Sequence, residues 1–161
     1  MLILWRGKRN CGKAWGVSLQ IREIAAADTY GLRHAILRPT EPLSACHYPL
    51  DGSSIHIGAF VDGKLLGVAT AHPEIKSDFP YSKQYRLRGM AVAVESQGQG
   101  VGKLLLQELL SKLAGMEIPF LWCNAREIAI PFYERLGFQI LGDFFDIPNI
   151  GRHKVMFRET K

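Results

Sequence analysis

A glycine-rich segment, Gln97 to Lys103, is the part of the sequence whose spacing points most directly to chemistry. It reads Gln-Gly-Gln-Gly-Val-Gly-Lys and lies between a predicted strand and a strongly amphipathic predicted helix. Glycines allow a backbone to adopt positive φ angles and to approach a ligand closely. The start of the helix adds amides without intrahelical partners and a partial positive charge, which together suit a pyrophosphate. The segment therefore predicts a phosphate-bearing ligand.

Two nucleotide-binding motifs contain glycines at similar spacing, and the segment differs from both. A Walker phosphate loop requires a glycine five residues before Gly102 and a hydroxyl residue after Lys103, but Gln97 and Leu104 stand there, which excludes it. A dinucleotide fingerprint requires its third glycine one residue later than Gly102. It also requires an acid after the next strand, where Asn124 stands, so the sequence disfavours a dinucleotide-binding loop. A glycine-rich turn without a ligand is the remaining alternative on these residues alone.

The elements around this segment are predicted from hydrophobic periodicity and turn residues. Apolar runs predict strands over residues 18–24, 55–61, 65–71, 85–93, 119–123, 139–145 and 153–158. Helical spacing predicts helices over residues 25–37, 100–114 and about 126–136. Asp62-Gly63 predicts a two-residue hairpin turn, and residues 39–54 predict a long loop. The resulting order, β-α-β-β-β-α-β-α-β-β, predicts a single mixed α/β domain.

Length and composition set the class of protein. With 161 residues, of which 47% are hydrophobic and 22% charged, the chain has the composition of one soluble globular domain. No apolar run approaches the roughly 18 residues of a membrane span, and no signal-peptide pattern is present, so we expect a cytoplasmic protein without a membrane partner. The three cysteines lack zinc-ligand spacing, and no metal site is expected.

The net charge of +5 is concentrated at the N-terminus. Five cations and no acid precede Glu23, and from that residue onward Lys and Arg match Asp and Glu at 15 each. We therefore divide the chain into a basic N-terminal extension, residues 1–17, expected to be poorly ordered, and a domain, residues 18–161, whose charges nearly cancel. Nucleic-acid binding through the extension would weaken steeply with salt, but the nearly neutral domain disfavours it. No nucleic-acid partner is expected.

Two motifs resemble those of the GCN5-related N-acetyltransferases, the GNAT family. Gln97-x-x-Gly100-x-Gly102 is similar to that family's Gln/Arg-x-x-Gly-x-Gly/Ala pyrophosphate loop. Asn124 at a strand end, followed by Phe132-Tyr133 and Gly137-Phe138, is similar to its second motif. The motifs lie a helix and a strand apart, as in the family, and the element order is similar over roughly residues 18–160. The resemblance implies a GNAT-like mixed sheet.

The resemblance also implies an N-acetyltransferase that uses acetyl-CoA as cosubstrate and transfers the acetyl group directly to a primary amine of a small molecule or peptide. The strand before the glycine loop would splay from its neighbour and pair with pantetheine, the loop would bind the pyrophosphate, and Asn124 would lie at the opening of the splay. Tyr133 would protonate the leaving thiolate, which typically contributes about 10²- to 10⁴-fold. The implied cofactor-binding residues are Met90, Ala91, Val92, Gln97, Gly98, Gln99, Gly100, Val101, Gly102, Lys103 and Asn124.

The general base, the acceptor and the oligomeric state are left open by the sequence. Glu95, His56 and His72 are candidate bases, and Arg88 is a candidate for the acceptor side. The segments that would select the acceptor, residues 29–54, 73–84 and 143–153, show no dominant charge, and the family includes monomers and homodimers. The alternative function is a non-catalytic acyl-CoA-binding or sensing module on the same fold. Tyr133 favours the enzyme, because a pure binder needs no placed acid.

Overall fold

The computed structural model describes residues 3–4 and 19–161. Apart from short 3₁₀ turns, this part of the chain contains eight strands and three helices. In chain order they are β1 (Ile3–Leu4), β2 (Gln20–Glu23), α1 (Ala26–Leu37), β3 (Ile55–Val61), β4 (Lys64–His72), β5 (Gln84–Val92), α2 (Val101–Gly115), β6 (Phe120–Arg126), α3 (Ile130–Glu134), β7 (Gln139–Ile147) and β8 (Gly151–Glu159). From β2 onward this is the predicted order, and the predicted mixed α/β fold is confirmed.

The strands form one mixed sheet in the order β1-β2-β3-β4-β5-β6-β8-β7. Asp62 and Gly63 turn the chain from β3 to β4 with φ angles of 51° and 77°. Two successive positive φ angles are typical of a type I′ hairpin turn, so the turn is found where it was predicted. β5 and β6 pair in parallel. A parallel pair requires a long crossover connection, which contains α2.

Contacts group the chain into two compact units. The first contains residues 1–70 and 89–109, and the second contains residues 71–88 and 110–161. Of the predicted N-terminal extension, residues 1–17, Ile3 and Leu4 form β1, which pairs antiparallel with β2. The other residues of the extension lie outside the described part of the chain, so its expected disorder stays a prediction.

In the first unit, α2 buries the leucine stripe that its sequence predicts. Leu105, Leu106 and Leu109 have no exposed surface. Gly67 of β4 allows a close approach, because a Cβ there would lie 2.9 Å from Leu105 Cδ1 and 3.1 Å from Val101 Cγ1. No helix among the described residues is long and apolar enough to cross a bilayer.

Helix α1 buries polar residues. Thr29 and Arg33, four residues apart and hence on one helix face, have no exposed surface. Leu32 and Ile36, the apolar residues whose spacing predicts the helix, are only partly buried. The first unit therefore has a charged guanidinium in its interior.

The second unit is organised around β6. This strand pairs in parallel with β5 on one side and antiparallel with β8 on the other. Phe120 and Trp122 of β6 form a buried aromatic cluster with Phe79, against which four partly buried side chains pack: Tyr81, Leu141, Val155 and Phe157. We call these seven residues the aromatic cluster.

The helix predicted over residues 126–136 is shorter in the structure. β6 extends to Arg126, a 3₁₀ turn spans Glu127–Ala129, and α3 covers only Ile130–Glu134. The chain stays extended to Arg126 because Asn124 to Arg126 pair with β8. Pro131 lies in the first turn of α3, where its missing amide costs no hydrogen bond.

Candidate active site

The glycine loop folds as an exposed turn between β5 and α2. Residues 97–100 are exposed, and Gly98 and Gly100 have φ angles of 73° and 86°. A residue with a Cβ atom adopts such angles only at an energetic cost, which explains why both positions are glycine. The Leu104 amide donates to the Gly100 carbonyl at 3.1 Å, so the helical hydrogen bonding starts directly from the loop. The loop therefore leads its backbone straight into the N-terminus of a 15-residue helix.

The two glutamines of the loop bind the backbone of the residues that precede the loop. Gln97 Nε2 donates to the carbonyl of Val92 at 3.0 Å, and Gln99 Nε2 donates to the carbonyl of Glu95 at 2.7 Å. These bonds hold the turn in shape. The two glutamine side chains thus support the loop.

The amides of residues 98–103 donate no hydrogen bond to any residue that the structure describes. Lys103 is exposed in the first turn of α2 and forms no ion pair within the described chain. Unpartnered amides at a helix start carry a partial positive charge and bind anions. The loop can therefore bind a phosphate group through its backbone and one lysine.

Strand β5 changes its geometry in mid-course. Its pairing with β6 joins Gln84–Leu87 to Phe120–Cys123 and ends there, although β5 continues to Val92. Gly89 has a φ angle of 65°, the geometry of a β-bulge within a strand. The predicted pantetheine-binding residues Met90, Ala91 and Val92 directly follow this bulge; Ala91 is buried, and the other two are partly exposed.

Asn124 is the first residue of β6 beyond the pairing with β5. It is partly buried and pairs with Val155 of β8. Because successive strand residues face opposite sides of a sheet, Asn124 faces the same side as Trp122 and the opposite side from Cys123.

Tyr133 is 9% exposed on α3, with its ring centroid 5.1 Å from that of Phe132 and 5.2 Å from that of Phe138. Burial raises the pKa of its phenol well above the usual range, and the nearby Cys123 raises it further. Burial also raises the pKa of the Cys123 thiol to about 12. Tyr133 is therefore protonated at neutral pH and interacts with the Cys123 side of β6, the side opposite to the one that Asn124 faces.

With this geometry in place, comparisons with known proteins decide the family. The sequence model of the acetyltransferase (GNAT) family matches residues 19–138. The chain belongs to the GNAT family. A Bacillus subtilis (strain 168) protein named uncharacterized N-acetyltransferase YitI is 39% identical over 145 residues, which cover 89% of this chain and 97% of that protein.

Solved structures share the fold of this GNAT chain. An aminoglycoside 6'-N-acetyltransferase crystallised with coenzyme A has a TM-score of 0.70 at 16% identity, covering 88% of this chain and 97% of that one. An acyl-CoA N-acyltransferase from Pseudomonas aeruginosa has a TM-score of 0.67 at 20% identity, covering 88% and 99%. The predicted family and fold are confirmed, and the protein is an enzyme of the acyltransferase class.

The candidate bases are placed differently within this GNAT chain. Glu95 is exposed and paired with Lys64 at 2.8 Å; the hydrogen bond from that lysine lowers the pKa of Glu95. His56 is buried, with both ring nitrogens hydrogen-bonded. His72 is buried and Arg88 partly buried. Among the described residues, no three His, Cys, Asp or Glu side chains come together as a metal site.

The structure adds two features that the sequence pattern did not single out. Arg33 forms a buried ion pair with Asp51, and Gly89 forms the β5 bulge. An isolated glycine inside a predicted strand is a known bulge signal, so Gly89 was detectable. An arginine in an alanine-rich helix usually lies at the surface, so nothing in the sequence marked Arg33 as buried.

Proposed function

We propose that this GNAT protein is an acetyl-CoA-dependent N-acetyltransferase that acts on a primary amine of a small molecule or peptide by direct transfer. The observation that carries this proposal is the run of amides in residues 98–103, which lie in a positive-φ glycine turn and the first turn of α2 and have no acceptors among the described residues. The pyrophosphate of a CoA ester supplies the acceptors that such a turn requires.

The strand before the loop fits the rest of a CoA ester. Pantetheine carries amides that can pair with the backbone of an extended strand. The β5–β6 pairing ends at Leu87, and β5 continues beyond it for five residues. The Gly89 bulge redirects the backbone just before Met90–Val92, the segment that would pair with pantetheine. Lys103 adds a positive charge for a phosphate, and Asn124 an amide side chain where β6 leaves β5.

Tyr133 is suited to the proton step. Acetyl-CoA supplies the acetyl group as a thioester, whose transfer releases a thiolate. The raised pKa of Tyr133 keeps its hydroxyl protonated over the whole physiological range, which is the state that a general acid needs. The same shift makes the phenol a weak acid, so Tyr133 acts on the leaving sulfur mainly by donating a hydrogen bond to the charge that develops there.

Thermal unfolding with acetyl-CoA, CoA, ATP and NAD in parallel tests the ligand. A ligand at 100 times its Kd stabilises the folded state by about 2.7 kcal/mol, a readily visible shift in Tm. We expect stabilisation by acetyl-CoA and CoA alone. A shift with ATP or NAD instead, or with none of the four, contradicts the proposal for the glycine loop.

The Tyr133→Phe substitution separates the enzyme from a non-catalytic acyl-CoA-binding module. Once a screen of amines has found an acceptor, we expect kcat to fall by about 10²-fold or more while the Kd of acetyl-CoA stays unchanged. Tyr81→Phe is the matched control, because Tyr81 hydrogen-bonds Glu159 at an exposed position. Full turnover in Tyr133→Phe removes Tyr133 from the mechanism. Tight acetyl-CoA binding by the wild type without transfer to any amine favours the binding module.

A further inference from the structure

Arg33 uses four of its five N–H donors inside the first unit. Nη1 donates to Asp51 Oδ2 at 2.8 Å and to the carbonyl of Cys46 at 2.9 Å. Nη2 donates to Asp51 Oδ1 at 3.0 Å and to Thr70 Oγ1 at 2.7 Å. The ring centroid of Tyr48 lies 4.3 Å from the guanidinium carbon. The guanidinium is therefore fixed in both position and plane.

The fifth donor, Nε, lies against the bulge of β5. It is buried and has no hydrogen-bond partner among the described residues. A Cβ on Gly89 would lie 2.6 Å from this nitrogen and 3.0 Å from Tyr48 Cε2. Arg33 and Tyr48 thus occupy the space that any side chain at position 89 would need. Two features require glycine at position 89: this close approach and the φ angle of 65°.

Further hydrogen bonds hold Arg33 in this orientation. His56 Nε2 donates to the carbonyl of Asp51, since a carbonyl can only accept; the distance is 2.8 Å. In the neutral imidazole, His56 Nδ1 then accepts the hydroxyl proton of Thr70 at 2.8 Å, while Thr70 Oγ1 accepts from Arg33. Arg33 is thereby bound to the loop after α1 and, through Thr70 and His56, to β4 and β3.

We propose that Arg33, oriented by Asp51 and Thr70, is a positioning residue that holds the β5 bulge at Gly89 and so fixes Met90–Val92 for acyl-CoA binding. The inference rests on the proposed function, because that function supplies the ligand, acyl-CoA. The positioning effect itself rests on the hydrogen bonds and contacts of Arg33. A buried bidentate guanidinium is planar and rigid, and the ammonium of lysine reproduces neither its hydrogen bonds nor its contact with the bulge. Arg33 touches no acyl-CoA itself; it acts through the strand.

The test is Arg33→Lys, studied by CoA titration calorimetry and by amide hydrogen exchange without ligand. We expect the Kd of CoA to rise at least tenfold. We also expect exchange in residues 89–92 to rise by a larger factor than exchange in residues 105–109 of α2, which reports the general loss of stability. The matched control is Arg152→Lys, because Arg152 also pairs with a carboxylate, that of Glu127, but at an exposed position of the second unit. It should leave the Kd of CoA within twofold of wild type.

A CoA affinity of folded Arg33→Lys within twofold of wild type overturns the proposal. So does exchange that rises equally in residues 89–92 and 105–109, which is the result of a general loss of stability. If Arg33→Lys does not fold, Thr70→Val removes the two hydrogen bonds of the Thr70 hydroxyl, with Arg33 and with His56, and keeps the ion pair. It should weaken CoA binding at least threefold with the same local rise in exchange, and unchanged values overturn the proposal.

Failure of the proposed function gives a different result. Wild-type protein that does not bind CoA contradicts the assignment of the glycine loop. The exchange comparison needs no ligand, so a local rise at residues 89–92 in Arg33→Lys still shows that Arg33 holds the bulge, and its absence still shows that it does not.

Discussion

The interiors of the two units are stabilised by different chemistry. In the first, Arg33 and Asp51, 0% and 7% exposed, form a hydrogen-bonded ion pair. In the second, the aromatic cluster around Phe120 packs ring against ring, with centroid distances of 4.5 Å to Phe79 and to Tyr81. A buried ion pair requires one geometry and one protonation state, whereas an apolar cluster requires mainly volume. Conservative substitutions should therefore be tolerated in the aromatic cluster and not in the ion pair.

The strongest test of this difference removes one charge of the ion pair. Arg33→Met leaves the Asp51 carboxylate buried without its partner, and the free energy of unfolding should fall by about 3–5 kcal/mol. Urea unfolding monitored by circular dichroism measures the loss.

The control for that experiment removes both charges. Arg33→Met combined with Asp51→Leu should recover much of the lost stability, because no unpaired charge remains buried. If the single variant loses less than about 1 kcal/mol, the ion pair is not what maintains the first unit.

Conservative replacements compare the two interiors directly. Arg33→Lys keeps the charge but loses the bidentate geometry, and we expect a loss of about 2 kcal/mol. Phe120→Leu keeps most of the buried volume and should cost about 1 kcal/mol. Guanidinium unfolding of both variants side by side gives the difference. A larger loss for Phe120→Leu would reverse the comparison.

The smallest expected effect is on pH dependence. Burial alone would raise the pKa of Asp51, but hydrogen bonds from Arg33 and from the Tyr48 amide outweigh it, and the pKa is lowered. A carboxyl with a lowered folded-state pKa stabilises the protein above its unfolded pKa of about 3.9, and this stabilisation is lost as pH falls through the folded value. Urea midpoints from pH 6 down to pH 3 should therefore fall less steeply in Asp51→Asn than in wild type.

The same pH series separates the two units. Phe120→Leu removes no titrating group, so it should lower every urea midpoint while keeping the wild-type slope with pH. An Asp51→Asn series as steep as that of wild type would show that other carboxyls cause the acid sensitivity.

The sequence predicts a structural feature correctly where that feature depends on residues close together in the chain. The leucine stripe of α2, the Asp62-Gly63 turn and the glycine loop each depend on neighbouring residues, and the structure places all three as predicted. The helix predicted from residue 126 was wrong at its start, because pairing with β8 keeps Asn124 to Arg126 extended. The roles of the predicted site residues stay predictions that the loop geometry supports.

By itself, the sequence determined the order of the elements, the fold class and the family, since periodicity, turn chemistry and two spaced motifs are properties of neighbouring residues. Only the tertiary structure decided that Arg33 of α1 meets Asp51, Thr70 and the bulge at Gly89. Those residues are 18, 37 and 56 positions away along the chain. An arginine is buried only where folding brings hydrogen-bond acceptors to its donors. No pattern of neighbouring residues in the sequence predicts contacts with such distant acceptors.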